Sequence, residues 1–478
     1  MLRMNRSNRA SRRVRWLAVA IGAGMTVGCA SPPERQAPDA AGITVFEGAR
    51  LIVGDGNAPI ENSAFLVQGD RLTTVGRKGE LTVPAGAARV DLTGKTVMPA
   101  IVDAHGHLGF LDMAKATMSK ANFTRENYID HLQRYAYHGV AATISTGTDL
   151  GDLAYELRKE TIPNAALIRT VGLGLAWPGS GPTDPSRNDV PYPVTTIDQA
   201  RAAVRELAAH RPDFVKVWVD DRNGRQKKLT PELYRVAVDE ARKHNLPVMA
   251  HVFDLEDAKG LIRAGVEGFL HSVRDAEVDE EFITLAKEHN IWITPNLGGM
   301  NRASLIGANG TPEWFDDPLV RETIPPGILA LRAHTYESRR AGGAPAASGA
   351  RVFDLMNTRK LHAAGVRLVL GSDTAGDANR WFGMMTLAEL ENMVAAGLTP
   401  AEVIVAATRD AAAVLRLDQL GTVAAGKSAD FLVLDANPLE NIANTRRINK
   451  VYLRGQEVDR AGLRARWQRQ WSQGASTH

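Results

Sequence analysis

Between Gly42 and Thr96 apolar and polar residues alternate over short runs, as in Ile43-Thr-Val-Phe46, Ala64-Phe-Leu-Val67 and Leu72-Thr-Thr-Val75. An apolar residue at every second position buries one face of a strand, and the Gly-Asp and Gly-Asn pairs between runs mark turns. The spacing therefore predicts a small antiparallel β unit. After Thr96 the pattern changes to continuous apolar runs at Val97–Val102, Ala141–Ser145, Ala166–Val171, Phe214–Val219, Pro247–Ala250, Glu267–Leu270, Ile291–Thr294 and Arg367–Leu370. A strand covered on both faces needs such a run, and stretches with helical periodicity, among them Pro231–His244 and Asp254–Ala264, separate them.

Eight strands alternating with helices predict an α/β fold, a (β/α)8 TIM barrel, over residues 97–418. Asp430-Phe-Leu-Val-Leu434 and Lys450-Val-Tyr-Leu453 return to the short-strand pattern. Residues 42–96 and 419–460 are accordingly expected to form one small β-sandwich domain, discontinuous because the barrel interrupts it. Residues 461–478 are read as a C-terminal tail. Residues 301–350, rich in Gly, Ala and Arg, form a long insertion before the last barrel strand and are a candidate lid.

Composition is that of a globular enzyme, with 44% hydrophobic and 23% charged residues over 478 positions. The formal charge of +3 owes everything to the N-terminus, where Arg3, Arg6, Arg9, Arg12, Arg13 and Arg15 precede the first acid, Glu34. Without those six charges the remainder stands at −3, which argues against a nucleic-acid partner. The same arginines, followed by the apolar run Trp16–Val27 and small residues, read as a signal peptide over residues 1–30, with a linker at 31–41. Twelve apolar residues are too few for a membrane-spanning helix, which needs about 20.

The sole cysteine, Cys29, lies in Met25-Thr-Val-Gly28-Cys29, which resembles a bacterial lipobox with Thr26 in place of leucine. The expected location is outside the cytoplasm, as a periplasmic or membrane-anchored lipoprotein of a bacterium. Contact with the membrane would run only through a lipid on Cys29, and cleavage after Ala30 is the alternative. One cysteine rules out an internal disulfide. A homo-oligomer is compatible with this reading.

The chemistry gathers at predicted strand ends, where barrels of this kind place their active sites. His105 and His107 follow the first run in Asp103-Ala-His-Gly-His, and an i, i+2 pair points both imidazoles to one side, where they can share a cation. His251 ends the fifth run, His271 the sixth, and Asp373 follows the eighth in Leu370-Gly-Ser-Asp. Lys216 lies inside Phe214-Val-Lys-Val-Trp-Val219, where desolvation favours the neutral amine. A neutral amine adds carbon dioxide to become a carbamate, whose two oxygens can bridge cations.

These six positions, in this order, with a split β domain around them, resemble the binuclear branch of the amidohydrolase superfamily, including its imidazolonepropionase-like and Xaa-Pro dipeptidase-like members. The resemblance runs from Gly42 to about Asp459 and departs at Ala100, where Pro-Gly is commoner than Pro-Ala. It implies that His105, His107 and Asp373 bind one divalent cation and that His251 and His271 bind a second. A carbamate on Lys216 and a hydroxide would bridge them. Zinc is the default for so imidazole-rich a site. The resemblance further implies that Asp373 takes the proton of the attacking hydroxide and delivers it to the leaving amine.

The substrate implied is a small molecule with an amide bond, a dipeptide or an N-acyl amino acid. Lactone, ester or carbamate hydrolysis is the alternative chemistry. A mononuclear deaminase or cyclic-amide hydrolase of the same superfamily is another reading, and a tethered binding protein a third. Mononuclear deaminases resemble His-x-x-Glu after strand five, against His251-Val-Phe-Asp254 here, and lack the strand-four lysine. Candidate substrate contacts are Trp177, Asn296 and Arg302, with Arg222, Arg225, Lys227 and Lys228 as rival anion binders. Asp103 is expected to act structurally, and the other histidines, in helical or exposed contexts, are given no role.

Overall fold

The computed structural model describes residues 42–300, 313–341 and 349–475. The signal segment, the linker, Cys29, Arg302 and parts of the 301–350 insertion lie outside these residues.

Parallel strands dominate the middle of the chain. One sheet pairs Leu167–Thr170, Val140–Ser145 and Ile101–Gly106; a second runs from Tyr192–Pro193 through Leu175–Ala176, Val215–Val219, Val248–Val252, Gly268–Leu270 and Trp292–Thr294 to Arg367–Leu368. Backbone hydrogen bonds link the two sheets at both margins: Ala104 N to Leu370 O (3.0 Å) and Asp373 N to His105 O (2.9 Å) on one side, Asp213 N to Thr170 O (2.9 Å) on the other. Each expected apolar run contains a strand, and the short strands Leu175–Ala176 and Tyr192–Pro193 are additions that periodicity does not reveal.

The intervening helices bury one stripe. Pro231–Lys243 places Leu233, Tyr234, Ala237, Val238 and Ala241 inward; Thr230 caps its first turn and Pro231 opens it. Ile197–His210 starts with a Thr196/Gln199 capping box.

Two antiparallel-rich sheets use the chain's two ends. One orders Arg71–Arg77, Ser63–Gln68, Ile43–Glu47 and Ala88–Asp91. The other sets Arg50–Leu51 and Thr96–Pro99 beside Phe431–Leu434, Ile448–Leu453 and Gln456–Glu457. Both feed one apolar cluster in which Phe46 stacks on Phe65 and Phe431 on Tyr452, with centroids 5.1 and 4.7 Å apart.

Two expectations need correction. The run Val97–Val102 is not one strand. Thr96–Pro99 pairs with Phe431–Leu434 and Ile101–Gly106 with Val140–Ser145, so the chain changes sheets at Ala100, next to a proline that lacks an N–H for the ladder. Ala100 is buried and absent from the positive-φ residues, so alanine serves where glycine is commoner. The expected tail is largely a helix, Arg460–Ala475, anchored by fully buried Trp467, whose Nε1 donates to Asp130 Oδ1 (2.6 Å). The described part of the 301–350 insertion is also helical, over Pro318–Thr323, Pro326–Ala341 and the start of Gly349–Ala363.

Candidate metal centre

Asp103, His105 and His107 share one side of the first parallel strand and its extension. Asp103 accepts from the amides of His105 and Ser372 (3.2 and 3.0 Å) and from the Ser372 and Thr386 hydroxyls (2.5 and 2.7 Å). Burial raises its pKa, and these donors work against the rise. It clamps the first strand to the segment that carries Asp373, the structural role expected of it.

Asp373 Oδ1 lies 3.2 Å from His107 Nε2 and 3.6 Å from His105 Nε2. One ligand atom from each of these buried residues falls within 4.8 Å of the others, close enough for a single cation. Asp373 Oδ2 is taken by Arg380 Nη1.

Asn296 fixes the outer nitrogens. In the amide orientation that satisfies every atom, its oxygen accepts from Nδ1 of both His105 (2.7 Å) and His271 (3.0 Å), and its NH2 donates to Gly371 O. With Nδ1 protonated on both rings, their Nε2 lone pairs are free for a cation, and His105 Nε2 is buried with no partner. Burial, followed by the nearby Lys216 charge, holds His105 well below the usual histidine range. His271 is depressed likewise, by burial and then Arg274. Its ring centroid lies 5.1 Å from that of His105 and 4.6 Å from that of His251.

His251 stands apart from the tight group, with Nε2 2.9 Å from Asp220 Oδ2. Burial lowers its pKa to about 3, against the pull of Asp220. Burial works to raise Asp220, but the His251 bond and the Arg222 charge outweigh it and hold the carboxyl low.

Lys216 is 0% exposed, and its Nζ has no hydrogen-bond partner, lying 4.6 Å from the Trp218 ring centroid. Burial, with the Arg187 charge second, pushes it well below the usual lysine range. Gly147, at φ +102°, lets the backbone close over this pair; a Cβ there would fall 2.5 Å from the Trp218 ring and 3.3 Å from Lys216 Cγ. Three residues of the site hold left-handed backbone, His271 (φ 89°), Asn296 (56°) and Asp373 (52°). Such conformations cost about 1–3 kcal/mol each and persist where surrounding structure enforces them.

Several candidate substrate contacts have other partners. Asn296 is buried between histidines and serves them. Arg222 pairs with Asp220 and Gly181 O, and Lys228 sits among Asp221, Asp254 and Asp257, so neither is a free anion binder. Arg225 and Lys227 are exposed, Lys227 lying 5.1 Å over the half-buried Trp177 ring. Among the histidines given no role, His131 and His138 prove buried. Gly109 N–H donates to His131 Nδ1 (3.1 Å) while Nε2 donates to Leu111 O (2.7 Å), which fixes the loop after His107.

Residues missed from sequence are Asp220, Arg187, Arg380 and Glu389. Asp220 directly follows the Lys216 strand, a signal that was legible. Arg187 and Arg380 lie in loops without periodicity. Glu389 accepts from Leu297 N (2.7 Å) and Gly298 N (2.5 Å), steadying the backbone just after Asn296.

Residues 96–458 match the model of the amidohydrolase family. The chain is 26% identical to ochratoxinase of Aspergillus niger over 446 residues, covering 84% of this chain and 83% of that protein. It is 24% identical to imidazolonepropionase of a Geobacillus species over 396 residues, covering 79% and 84%. A crystal structure of a Xaa-Pro dipeptidase with methionine in its active site superposes with a TM-score of 0.68 at 22% identity, over 87% of this chain and 99% of that one. These likenesses imply an α/β fold containing a TIM barrel. With the family model spanning most of the chain and the histidine–aspartate group assembled at its strand ends, the protein is an enzyme of the amidohydrolase family.

Proposed function

We propose that this enzyme hydrolyses an amide bond, in a dipeptide or an N-acyl amino acid, at a centre of two divalent cations. The observation that carries the reading is the Asn296 bridge, which holds Nδ1 of both His105 and His271 and so keeps their Nε2 lone pairs free, His105 Nε2 lying 3.6 Å from Asp373 Oδ1, buried and without a hydrogen-bond partner. Buried polar atoms without partners are rare, and this donor set of imidazoles and a carboxylate suits zinc.

His105, His107 and Asp373 would hold the first cation and His251 and His271 the second. Lys216, carbamylated, would stand between them. Its neutral amine adds carbon dioxide and loses one proton, yielding two oxygens where the structure has an orphaned nitrogen. When bound, the cations acidify water and polarise the scissile carbonyl. Asp373 accepts the proton of the attacking water and returns it to the leaving nitrogen. Arg380, on the other oxygen, keeps the carboxylate aimed at His107.

The same reading closes the parallel strands into an eight-stranded barrel and takes the two outer sheets as one sandwich split in sequence. It also places the enzyme outside the cytoplasm, periplasmic or held by a lipid on Cys29, which labelling with an alkyne fatty acid and a Cys29→Ser control tests. Among the described residues no helix is long and apolar enough to cross a membrane.

The function is tested by incubating the purified, metal-loaded protein with dipeptides, N-acyl amino acids, lactones and carbamates, followed by mass spectrometry beside an Asp373→Asn control. Loss of the first two classes, only with the unmodified enzyme, is expected. Cleavage confined to lactones or carbamates would overturn the amide reading.

A further inference from the structure

Arg187 is 1% exposed, and among the described residues no carboxylate lies within ion-pair distance of it. Asp184 and Asp377 act on it only at longer range. Its Nη2 donates to Gly376 O (2.6 Å), while Nε and Nη1 are buried without any acceptor. Gly376 ties this guanidinium to the centre. Its amide donates to Asp373 O (3.0 Å), and a Cβ there would fall 2.9 Å from Asp373 Oδ1, so the residue that anchors Arg187 lies against the Asp373 carboxylate. After burial, Arg187 is the largest influence depressing both His107 and Lys216. A buried cation without a counter-ion is costly, and a fixed guanidinium with spare donors is suited to a carboxylate.

We propose that Arg187 binds a free carboxylate of the substrate and so makes the enzyme selective for acids over their neutral amides. This rests on the hydrolytic reading above and deepens it. The ligand is an amide whose amine side carries a carboxylate, the group that ends a dipeptide or an N-acyl amino acid. Arg187 would hold that end against the Gly376 loop, with the scissile carbonyl left toward Asp373 and His107.

Calorimetry with N-acetyl forms of alanine, leucine, phenylalanine and proline, and with their carboxamides, tests this without requiring turnover. The native protein is expected to bind acids about 10–100-fold more tightly than amides, the range for a hydrogen bond to a charged group. In Arg187→Met that ratio should collapse toward one, and Arg187→Lys should restore part of it, with metal content retained in both. Equal binding of acid and amide by the native protein, no binding of any acid, or a ratio that survives Arg187→Met would overturn the proposal. Loss of metal along with both ligand classes would do so too, by assigning Arg187 to the Lys216 carbamate. Acid selectivity in binding without hydrolysis would sink the proposed reaction and leave this assignment standing.

Discussion

His251 Nε2 lies 2.9 Å from Asp220 Oδ2, across two neighbouring parallel strands. Register produces the contact: Trp218 is opposite His251, and Asp220 follows two residues later on the same face at the carboxyl end. With Nε2 donating to this carboxylate, His251 keeps its Nδ1 lone pair for a cation.

Asp220→Asn keeps the shape and removes the charge. In the proposed two-cation centre, the cation on His251 should bind about 10–100-fold more weakly, as for other groups that orient metal-binding histidines. Titration against a competing chelator reads this, and unchanged affinity for both cations counts against the role.

Asn296→Leu deletes the acceptor shared by two Nδ1 hydrogens. With both rings freed to change tautomer, kcat should fall about 10–100-fold while the fold is retained. Nitrogen-15 spectra of the imidazoles should show His105 and His271 leaving the Nδ1–H form, and an unaltered spectrum would contradict the hydrogen-bond assignment.

Lys216→Ala should lose most bound metal and nearly all activity, because alanine cannot form a carbamate. Elemental analysis of the purified variant decides the point: full metal loading with full activity sinks the bridging role.

Acid stability should depend on His131. Burial lowers its pKa from 6.5 to about 4, while the unfolded chain titrates near 6.5. The folded state binds fewer protons between these values, so the contribution is complete above pH 6.5 and lost as pH falls through about 4. Protonation of Nδ1 would also break the Gly109 bond. Melting temperatures of His131→Gln should fall less steeply over that window; a parallel acid limb would refute the assignment. His138, depressed to about 3 mainly by burial, keeps some slope in the variant.

Glu389 acts in the opposite sense. Burial raises it to about 8, so the folded state binds more protons than the unfolded one between about 4.5 and 8, and stability declines as pH rises across that interval. Glu389→Gln should flatten this alkaline-side decline, measured by the same melts. A decline identical in both proteins would show that the carboxyl does not titrate there.

Much of this enzyme was legible in one dimension. Strand and helix periods are local, so the parallel strands, the outer strands and the strand-end positions of His105, His107, His251, His271 and Asp373 could be read from neighbours a few residues apart. Lys216 was legible for a similar reason, since a lone cation in an apolar strand is expensive wherever that strand packs.

What only the tertiary structure decided is which groups face one another. The Asn296 bridge joins positions 191 residues apart in the chain, and the Arg187 contact with Gly376 spans 189. Both start from loops, where no repeat constrains side-chain direction. The split of Val97–Val102 between two sheets was likewise set by partners, because Phe431–Leu434 and Val140–Ser145 compete for adjacent backbone that is apolar throughout. Burial and periodicity are written residue by residue; hydrogen-bond partners are chosen when distant strands and their loops are brought into register.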